Sequence, residues 1–124
     1  MRLLLDTHVL LWWLDDDPRL GVAAREAIAG ADHAMVSTAS AWEIGIKQSL
    51  GRLRGPEDLT GELAANRFDV LDIGLAHALA AAALPRHHDD PFDRMLIAQA
   101  AAEGLTLVTA DAQILRYGVD VLRA

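Results

Sequence analysis

Short apolar runs alternate with longer helical segments along the chain. Five runs have the length and composition of buried strands, at residues 2–5, 34–37, 70–73, 106–109 and 119–122. Apolar periodicity or alanine content predicts helices between them, at 9–14, 19–28, 38–50, from 56, 75–84, 91–103 and from 111. Strands joined by helical crossovers lie mostly parallel, so the pattern predicts a three-layer α/β/α domain with right-handed crossovers.

The residues at several predicted helix ends favour these boundaries. Asp90 and Pro91 fit the N-cap and first position of the helix over 91–103, and Gly104 fits its C-terminal cap. Pro56 fits the first position of the helix that precedes the third strand. These residues predict where the chain turns back toward the sheet.

Length and composition limit the class of protein. The chain has 124 residues, of which 52% are apolar, and we expect one domain over residues 1–124 with a core of its own. It has no cysteine, which excludes disulfides and cysteine-ligated zinc and makes a reducing cytoplasm the expected location. No apolar run is long enough to span a bilayer, so we expect no membrane association.

The net charge of −7 restricts how such a protein can act on nucleic acid. Broad, non-specific binding usually needs a basic face, which this balance argues against. An acidic protein that acts on phosphates must offset its own field locally, and bound divalent cations do this. A basic protein partner is another use for an acidic surface.

Four acidic residues fall where one edge of the predicted sheet would gather them. Asp6 directly follows the first strand and Asp111 lies just past the fourth, while Glu43 and Asp93 lie near the starts of helices. In an open parallel sheet, ligands bind beyond the C-terminal strand ends. Gathered carboxylates repel one another, and Mg²⁺ or Mn²⁺ with oxygen ligands relieves that repulsion. Such a site suits phosphodiester hydrolysis.

Each acid also has a local explanation. Asp93 fits the third position of a helix, Asp111 fits a cap, and Ser40 with Glu43 fits a capping box. Asp6 is harder to explain this way, because an acid at the end of an apolar strand is partly buried and needs a partner. Four independent caps have no reason to converge on one edge, which favours the metal-site hypothesis.

Four segments of the chain resemble the PIN-domain family, in its branch of VapBC-type toxins. They are Leu3-Leu4-Leu5-Asp6-Thr7-His8, Ser40-Ala41-Trp42-Glu43-Ile44, the stretch from His87-His88 through Asp90-Pro91-Phe92-Asp93-Arg94 to Ala100, and Leu107-Val108-Thr109 with Asp111. The resemblance implies a Mg²⁺- or Mn²⁺-dependent endoribonuclease with an RNA substrate. It also implies a five-stranded parallel sheet in the order 3-2-1-4-5, a cognate antitoxin and a homodimer.

The resemblance assigns roles to individual residues. The family's catalytic and metal-binding acids fall on Asp6, Glu43, Asp93 and Asp111. Asp90 is an additional acid, expected to support the site near the metal. Ala110 stands where many relatives have a basic residue, which removes a phosphate contact and no metal ligand.

Several neighbouring residues keep two interpretations each. Thr7 and Thr109 either orient ligands by hydrogen bonds or satisfy backbone groups at strand ends. Arg94 either contacts a phosphate or pairs with Asp90 at the i,i+4 spacing, and we favour the pair. The histidines at 87 and 88 either transfer protons and contact RNA or brace the helix start.

Three tryptophans and three basic residues are candidates for contacts with a partner protein or with RNA. Trp12, Trp13 and Trp42 are expected to lie mostly in the core, and one that is half-exposed would anchor a partner helix. The basic residues Lys47, Arg52 and Arg54 form a cluster that either guides an RNA backbone or is simply a solvated helix end.

Two other classes of protein compete with the nuclease interpretation. A phosphatase with Asp6 as nucleophile would need a second aspartate two residues later, and position 8 is histidine. A non-catalytic, metal-binding α/β interaction domain also remains open, although it would not require so many acids at one edge.

Overall fold

The computed structural model describes residues 1–124 and contains five short strands that form one sheet. The strands are β1 (Arg2–Leu5), β2 (His33–Ser37), β3 (Asp69–Leu71), β4 (Thr106–Thr109) and β5 (Val121–Arg123). Their order is β3-β2-β1-β4-β5, and all four pairings are parallel. The predicted strand order and the α/β class are therefore confirmed.

Six α-helices and one 3₁₀ helix connect the strands. They are α1 (Thr7–Leu14), α2 (Val22–Ala29), α3 (Thr38–Ser49), α4 (Leu59–Ala65), α5 (Leu75–Ala83), α6 (Pro91–Glu103) and the 3₁₀ helix Ala112–Tyr117. Helix α1 begins two residues earlier than predicted, because the side chain of Asp6 accepts a hydrogen bond from the His8 amide and caps it. No helix has both the length and the apolar character needed to cross a membrane.

One predicted helix start is wrong, that at Pro56, and the capping box considered for Ser40 and Glu43 is absent, although α3 begins at Thr38 as predicted. Helix α4 begins after Asp58, whose Oδ1 accepts a hydrogen bond from the Gly61 amide at 3.0 Å, and Pro56 lies outside it. Helix α3 is capped by Ser37, so Ser40 lies inside the helix and forms no capping box with Glu43. A side chain that satisfies a free amide outweighs the φ preference of a nearby proline.

The central strand β1 divides the core between the two faces of the sheet. Leu3 and Leu5 pack on one face with residues of α1, α2 and α3, and Leu4 packs on the other face with α6. All three leucine side chains are fully buried. Full burial of a leucine contributes roughly 1.5–3 kcal/mol, so this strand is firmly fixed. The residue that follows it, Asp6, is held in place by that packing.

Candidate active site

The structure brings the candidate acids to the C-terminal edge of the sheet, as predicted. Asp6 follows β1, and Asp111 caps the 3₁₀ helix that follows β4. With Asp93 from the first turn of α6, they line an open cavity of about 310 Å³. The cavity is completed by His8, Trp12 and Ala110. Three of the four acids thus share one cavity, although they come from three different parts of the chain.

Asp6 is buried and held by two donors. Its Oδ2 accepts a hydrogen bond from the Thr109 hydroxyl at 2.6 Å, and its Oδ1 accepts one from the His8 amide at 2.8 Å. Burial opposes ionisation, but the hydrogen bonds from His8 and Thr109 outweigh it and lower the pKa of the Asp6 carboxyl. Asp6 is therefore a fixed, ionised carboxylate.

Glu43 lies on α3 and is almost fully buried, with 3% of its surface exposed. Its Oε2 accepts a hydrogen bond from the Lys47 ammonium at 2.7 Å. Its Oε1 is buried and has no hydrogen-bond partner. A buried polar atom without a partner costs about 1–3 kcal/mol, and more when it is charged. This oxygen is the atom that a bound cation would satisfy.

Asp93 has the most perturbed acidity of the cluster. Burial, followed by the negative charges of Asp6 and Asp90, raises the pKa of its carboxyl to about 7, with a smaller contribution from Glu43. The charge of the fourth acid, Glu43, therefore acts on Asp93. Carboxylates with raised pKa values are typical of functional sites.

His88 lies between two of the acids and reaches Asp111 across 23 positions of sequence. Its Nε2 lies 2.9 Å from Asp93 Oδ2 and 2.8 Å from Asp111 Oδ2. Its Nδ1 accepts a hydrogen bond from the Asp90 amide at 3.1 Å, which places the ring proton on Nε2, facing the acids. Burial opposes protonation, but the bond to Asp111 and the charges of Asp93, Asp111 and Asp90 raise the pKa of His88.

The position of the ring proton on Nε2 determines whether His88 can bind a metal in this conformation. Ligand atoms of His88, Asp93 and Asp111 lie within 4.8 Å of one another, a spacing compatible with a metal. A metal-bound imidazole nitrogen carries no proton, however, and Nε2 carries one here. In this conformation His88 donates a hydrogen bond to Asp111 and lies within ion-pair distance of Asp93. His87, by contrast, packs edge-on against Tyr117, with ring centroids 5.2 Å apart, and contacts none of the acids.

Asp90 caps α6, and Arg94 does not pair with it, so the predicted i,i+4 ion pair is wrong. Asp90 Oδ1 accepts hydrogen bonds from the amides of Phe92 and Asp93 at 2.8 and 3.2 Å. The Arg94 guanidinium donates instead to backbone carbonyls at 2.8–3.3 Å, those of Ala81, Leu84, Pro85 and His88. The last carbonyls of a helix lack partners, and α5 ends beside this arginine. Arg94 therefore braces the loop that carries His88.

The two threonines contact different groups. Thr109 donates directly to Asp6, as described above, and its Oγ1 also accepts a hydrogen bond from the Asp111 amide at 3.1 Å. Thr7 donates to the Ser40 hydroxyl at 2.8 Å, which links α1 to α3. Thr109 thus contacts both acids that follow strands, whereas Thr7 contacts none of the four.

Two residues at the site, His8 and Lys47, lay outside the predicted set of site residues. A hydrogen bond to Asp6 raises the pKa of His8, whose ring lines the cavity. Lys47 pairs with Glu43 at the i,i+4 spacing, a signal that was visible in the sequence. Arg52 and Arg54 lie beyond the end of α3 and form no ion pair, so only one member of the predicted basic cluster reaches the acids.

Trp42 is 65% exposed, so its predicted place in the core is wrong. It packs edge-on against Phe92, with ring centroids 5.4 Å apart. The two rings lie in an apolar groove of about 200 Å³, completed by Ala39, Ile73, Pro91 and Met95. Trp12 and Trp13 are half-buried. The groove adjoins the acids in sequence, since Glu43 and Asp93 follow Trp42 and Phe92.

Comparison with known proteins agrees with this architecture. The PIN domain family model matches residues 3–120. Ribonuclease VapC22 of Mycobacterium tuberculosis is 33% identical over 114 residues, covering 90% of this chain and 88% of that protein.

Solved structures share the fold at low sequence identity. VapBC2 from Rickettsia felis, bound to a DNA fragment from its promoter, superposes with a TM-score of 0.74 at 17% identity, over 99% of this chain and 98% of that one. DNA-bound VapBC from Salmonella typhimurium gives a TM-score of 0.73 at 22% identity, with the same coverage. The sequence resemblance is confirmed: the chain belongs to the PIN-domain family, in the branch of the VapC toxins.

Proposed function

We propose that this protein is a Mg²⁺- or Mn²⁺-dependent endoribonuclease, the toxin of a VapBC-type toxin–antitoxin pair. The main support for this proposal is that Asp6, Asp93 and Asp111 line one cavity. The charge of Glu43 also acts on Asp93. The relative named Ribonuclease VapC22 supports the activity. The net charge of −7 supports the need for a cation when the substrate is a polyanion.

The residues present fit a divalent cation with oxygen ligands. Glu43 offers a buried oxygen without a partner, and Asp6 offers an ionised carboxylate. Burial and neighbouring charges raise the pKa of Asp93 to about 7, so at neutral pH a cation displaces a proton that this carboxyl gives up readily. We assign all three, with Asp111, as the residues that would hold the cation. A bound Mg²⁺ or Mn²⁺ supplies an activated water and stabilises charge on the phosphate oxygens.

The chain's own residues would orient these ligands. Thr109 fixes Asp6 through its hydroxyl, and His88 fixes Asp111 through its Nε2 proton and lies 2.9 Å from Asp93 Oδ2. Asp90 supports the site indirectly, because its amide sets the tautomer of His88 and its carboxylate begins α6. Contacts of this kind hold metal ligands in the required geometry.

The apolar groove around Trp42 and Phe92 is a candidate surface for the antitoxin. The groove is nearly free of polar lining, and Trp42 is the kind of exposed aromatic residue that anchors a partner segment. The structural neighbours from Rickettsia felis and Salmonella typhimurium are VapBC complexes, which supports an antitoxin partner. Both partners would meet in the cytoplasm, the location that we propose.

Helix α5 is a candidate surface for a homodimer. It carries no Asp, Glu, Lys or Arg, its one polar side chain, His77, is buried, and Leu75 and Leu79 are 77% and 64% exposed. Two copies that each carry a net charge of −7 repel one another. Self-association therefore favours an uncharged face, which α5 provides.

Cleavage of RNA by the purified protein tests the proposed function. A panel of tRNA, rRNA fragments and unstructured RNA is incubated with Mg²⁺, with Mn²⁺ and with EDTA. We expect endonucleolytic cleavage only with metal, and its loss in Asp6→Asn and Asp93→Asn variants that remain folded by circular dichroism. Asp15→Asn is the matched control, because Asp15 is exposed and its carboxylate makes no contact. No cleavage of any RNA by the wild type would instead favour a non-catalytic interaction domain.

A further inference from the structure

Lys47 is the only lysine in the chain, and its ammonium lies on a buried acid of the candidate site. The distance from Lys47 Nζ to Glu43 Oε2 is 2.7 Å. The lysine side chain is 40% exposed, whereas that of Glu43 is 4% exposed. An ion pair between two exposed side chains on a helix contributes little. Here one partner is buried, so the contact has more influence on how that partner is oriented.

The two oxygens of Glu43 are used differently. Oε2 is held by Lys47, and Oε1 is buried with no partner. A carboxylate oxygen that accepts a hydrogen bond has fewer free lone pairs than an unpartnered one, so Oε1 is the oxygen of Glu43 that is better placed to bind a ligand. The bond from Lys47 also restricts the rotation of the carboxylate.

The charge of Lys47 also acts on His8, another residue of the candidate site. His8 lines the cavity of acids, and both Lys47 and Glu43 influence the pKa of His8 through their charges, Lys47 lowering it and Glu43 raising it. The charges of the ion pair therefore act on a residue that lines the cavity of acids. Among the cationic side chains of the chain, the other ion pairs are made by Arg19 and Arg25 with Asp17 and Asp16, away from the cavity.

We propose that Lys47 is a positioning residue that holds Oε2 of Glu43, so that Oε1 alone binds the divalent cation. The inference rests on the proposed function, because it assigns a role toward the same cation. It predicts that the ion pair persists when the cation binds. A competing role is also physically reasonable, in which the ammonium substitutes for the cation and leaves when the cation arrives. The two roles predict opposite effects of removing Lys47.

Calorimetric titration with Mn²⁺ separates these roles without a cleavage assay. Lys47→Met is expected to weaken Mn²⁺ binding about 10–100-fold, the usual cost of losing a residue that orients a metal ligand. Lys47→Arg is expected to restore most of the affinity, because a guanidinium also donates to Oε2. Arg52→Met is the matched control, since it removes one positive charge that pairs with no acid.

A double-mutant cycle shows whether the effect passes through Glu43. In a Glu43→Gln background, Lys47→Met is expected to leave Mn²⁺ affinity unchanged, because the residue that it positions is already altered. A Lys47→Met variant that binds Mn²⁺ as tightly as the wild type, or more tightly, overturns the inference. A wild type that binds no Mn²⁺ overturns the proposed function itself, so the two failures are distinguishable.

The single lysine allows a direct spectroscopic test that needs no substitution of Lys47. Reductive methylation with ¹³C-formaldehyde labels only Lys47 and the terminal amine, and it leaves the lysine charged. We expect the Lys47 methyl signal to differ between the wild type and Glu43→Gln, and to keep its wild-type position when Mg²⁺ saturates the site. Movement of the signal to its position in Glu43→Gln on adding Mg²⁺ would show that the ammonium is released, which contradicts a positioning role.

Discussion

Replacing Asp93 by asparagine should stabilise the metal-free protein, and the gain should increase from acidic to alkaline pH. The substitution keeps the shape of the side chain and an oxygen that can lie beside His88, and it removes the charge that Asp6 and Asp90 repel. The pKa of Asp93 is raised in the folded state, so its ionisation opposes folding. That cost is absent below the usual pKa of 3.8, grows as the pH rises, and is complete above about 7.

The size of the effect follows from the pKa. A rise from 3.8 to about 7 corresponds to roughly 4 kcal/mol, at about 1.4 kcal/mol per pKa unit. The side chain is 16% exposed and its carboxylate also attracts His88, and both features reduce the gain. We expect Asp93→Asn to raise the free energy of unfolding by about 1–3 kcal/mol at pH 8 and by less than about half of that at pH 5, where only part of the ionisation cost is present.

Urea denaturation in EDTA, at pH 5 and pH 8, measures this difference. Asp15→Asn serves as the control, because it removes an equal charge from an exposed turn. Equal stability of the wild type and Asp93→Asn at pH 8, or a destabilised variant, would refute the argument that crowded carboxylates strain the metal-free site. A destabilised variant would show instead that the charge of Asp93 serves mainly the start of helix α6.

Three further predictions concern Asp6, the pH dependence of metal binding, and helix α5. Asp6→Asn should lower the free energy of unfolding by about 1–3 kcal/mol in the same denaturation assay, because an amide cannot accept from both Thr109 and the His8 amide; an unchanged midpoint would contradict this. Mn²⁺ affinity should rise between pH 6 and pH 8 with release of about one proton, as titrations in buffers of different ionisation enthalpy would show, because Asp93 gives up its proton; a flat profile would contradict it. In sedimentation, the wild type should be a dimer and Leu79→Glu a monomer, and a dimeric variant would remove α5 from the interface.

Most of the fold could be predicted from the sequence, because the patterns that define strands and helix ends are local. Apolar runs of strand length, separated by helical segments, define the α/β class and place Asp6 and Asp111 after strands. The helix over 91–103 was predicted at its observed ends, because Asp90, Pro91 and Gly104 all act on nearby backbone. The expectation at Pro56 failed because a competing cap two residues later outweighed it.

Contacts between distant segments set the details of the site, and no local pattern contains them. His88 reaches Asp111 across 23 positions, and Arg94 turns away from Asp90 to the carbonyls that end α5. The resemblance assigns the same catalytic and metal-binding role to all four acids. The structure separates them, because Asp6 has two donors and a lowered pKa whereas Asp93 has a raised one.

Exposure was also difficult to predict for large aromatic residues. Trp42 lies between Ala41 and Glu43 in a buried motif, and composition alone placed it in the core. In the structure, the helix turns its ring outward against Phe92. An apolar side chain that serves a binding surface has the same sequence signature as one that serves the core.

The location of a bound cation tests the central claim most directly. Crystals grown with MnCl₂ and measured near the manganese absorption edge would give an anomalous peak at each Mn²⁺. We predict a peak in the cavity, at about 2.1 Å from carboxylate oxygens of Asp6 and Asp93 and within reach of Glu43 Oε1. A peak only on exposed acids, such as Asp15 and Asp16, or no peak at saturating Mn²⁺, would contradict the account.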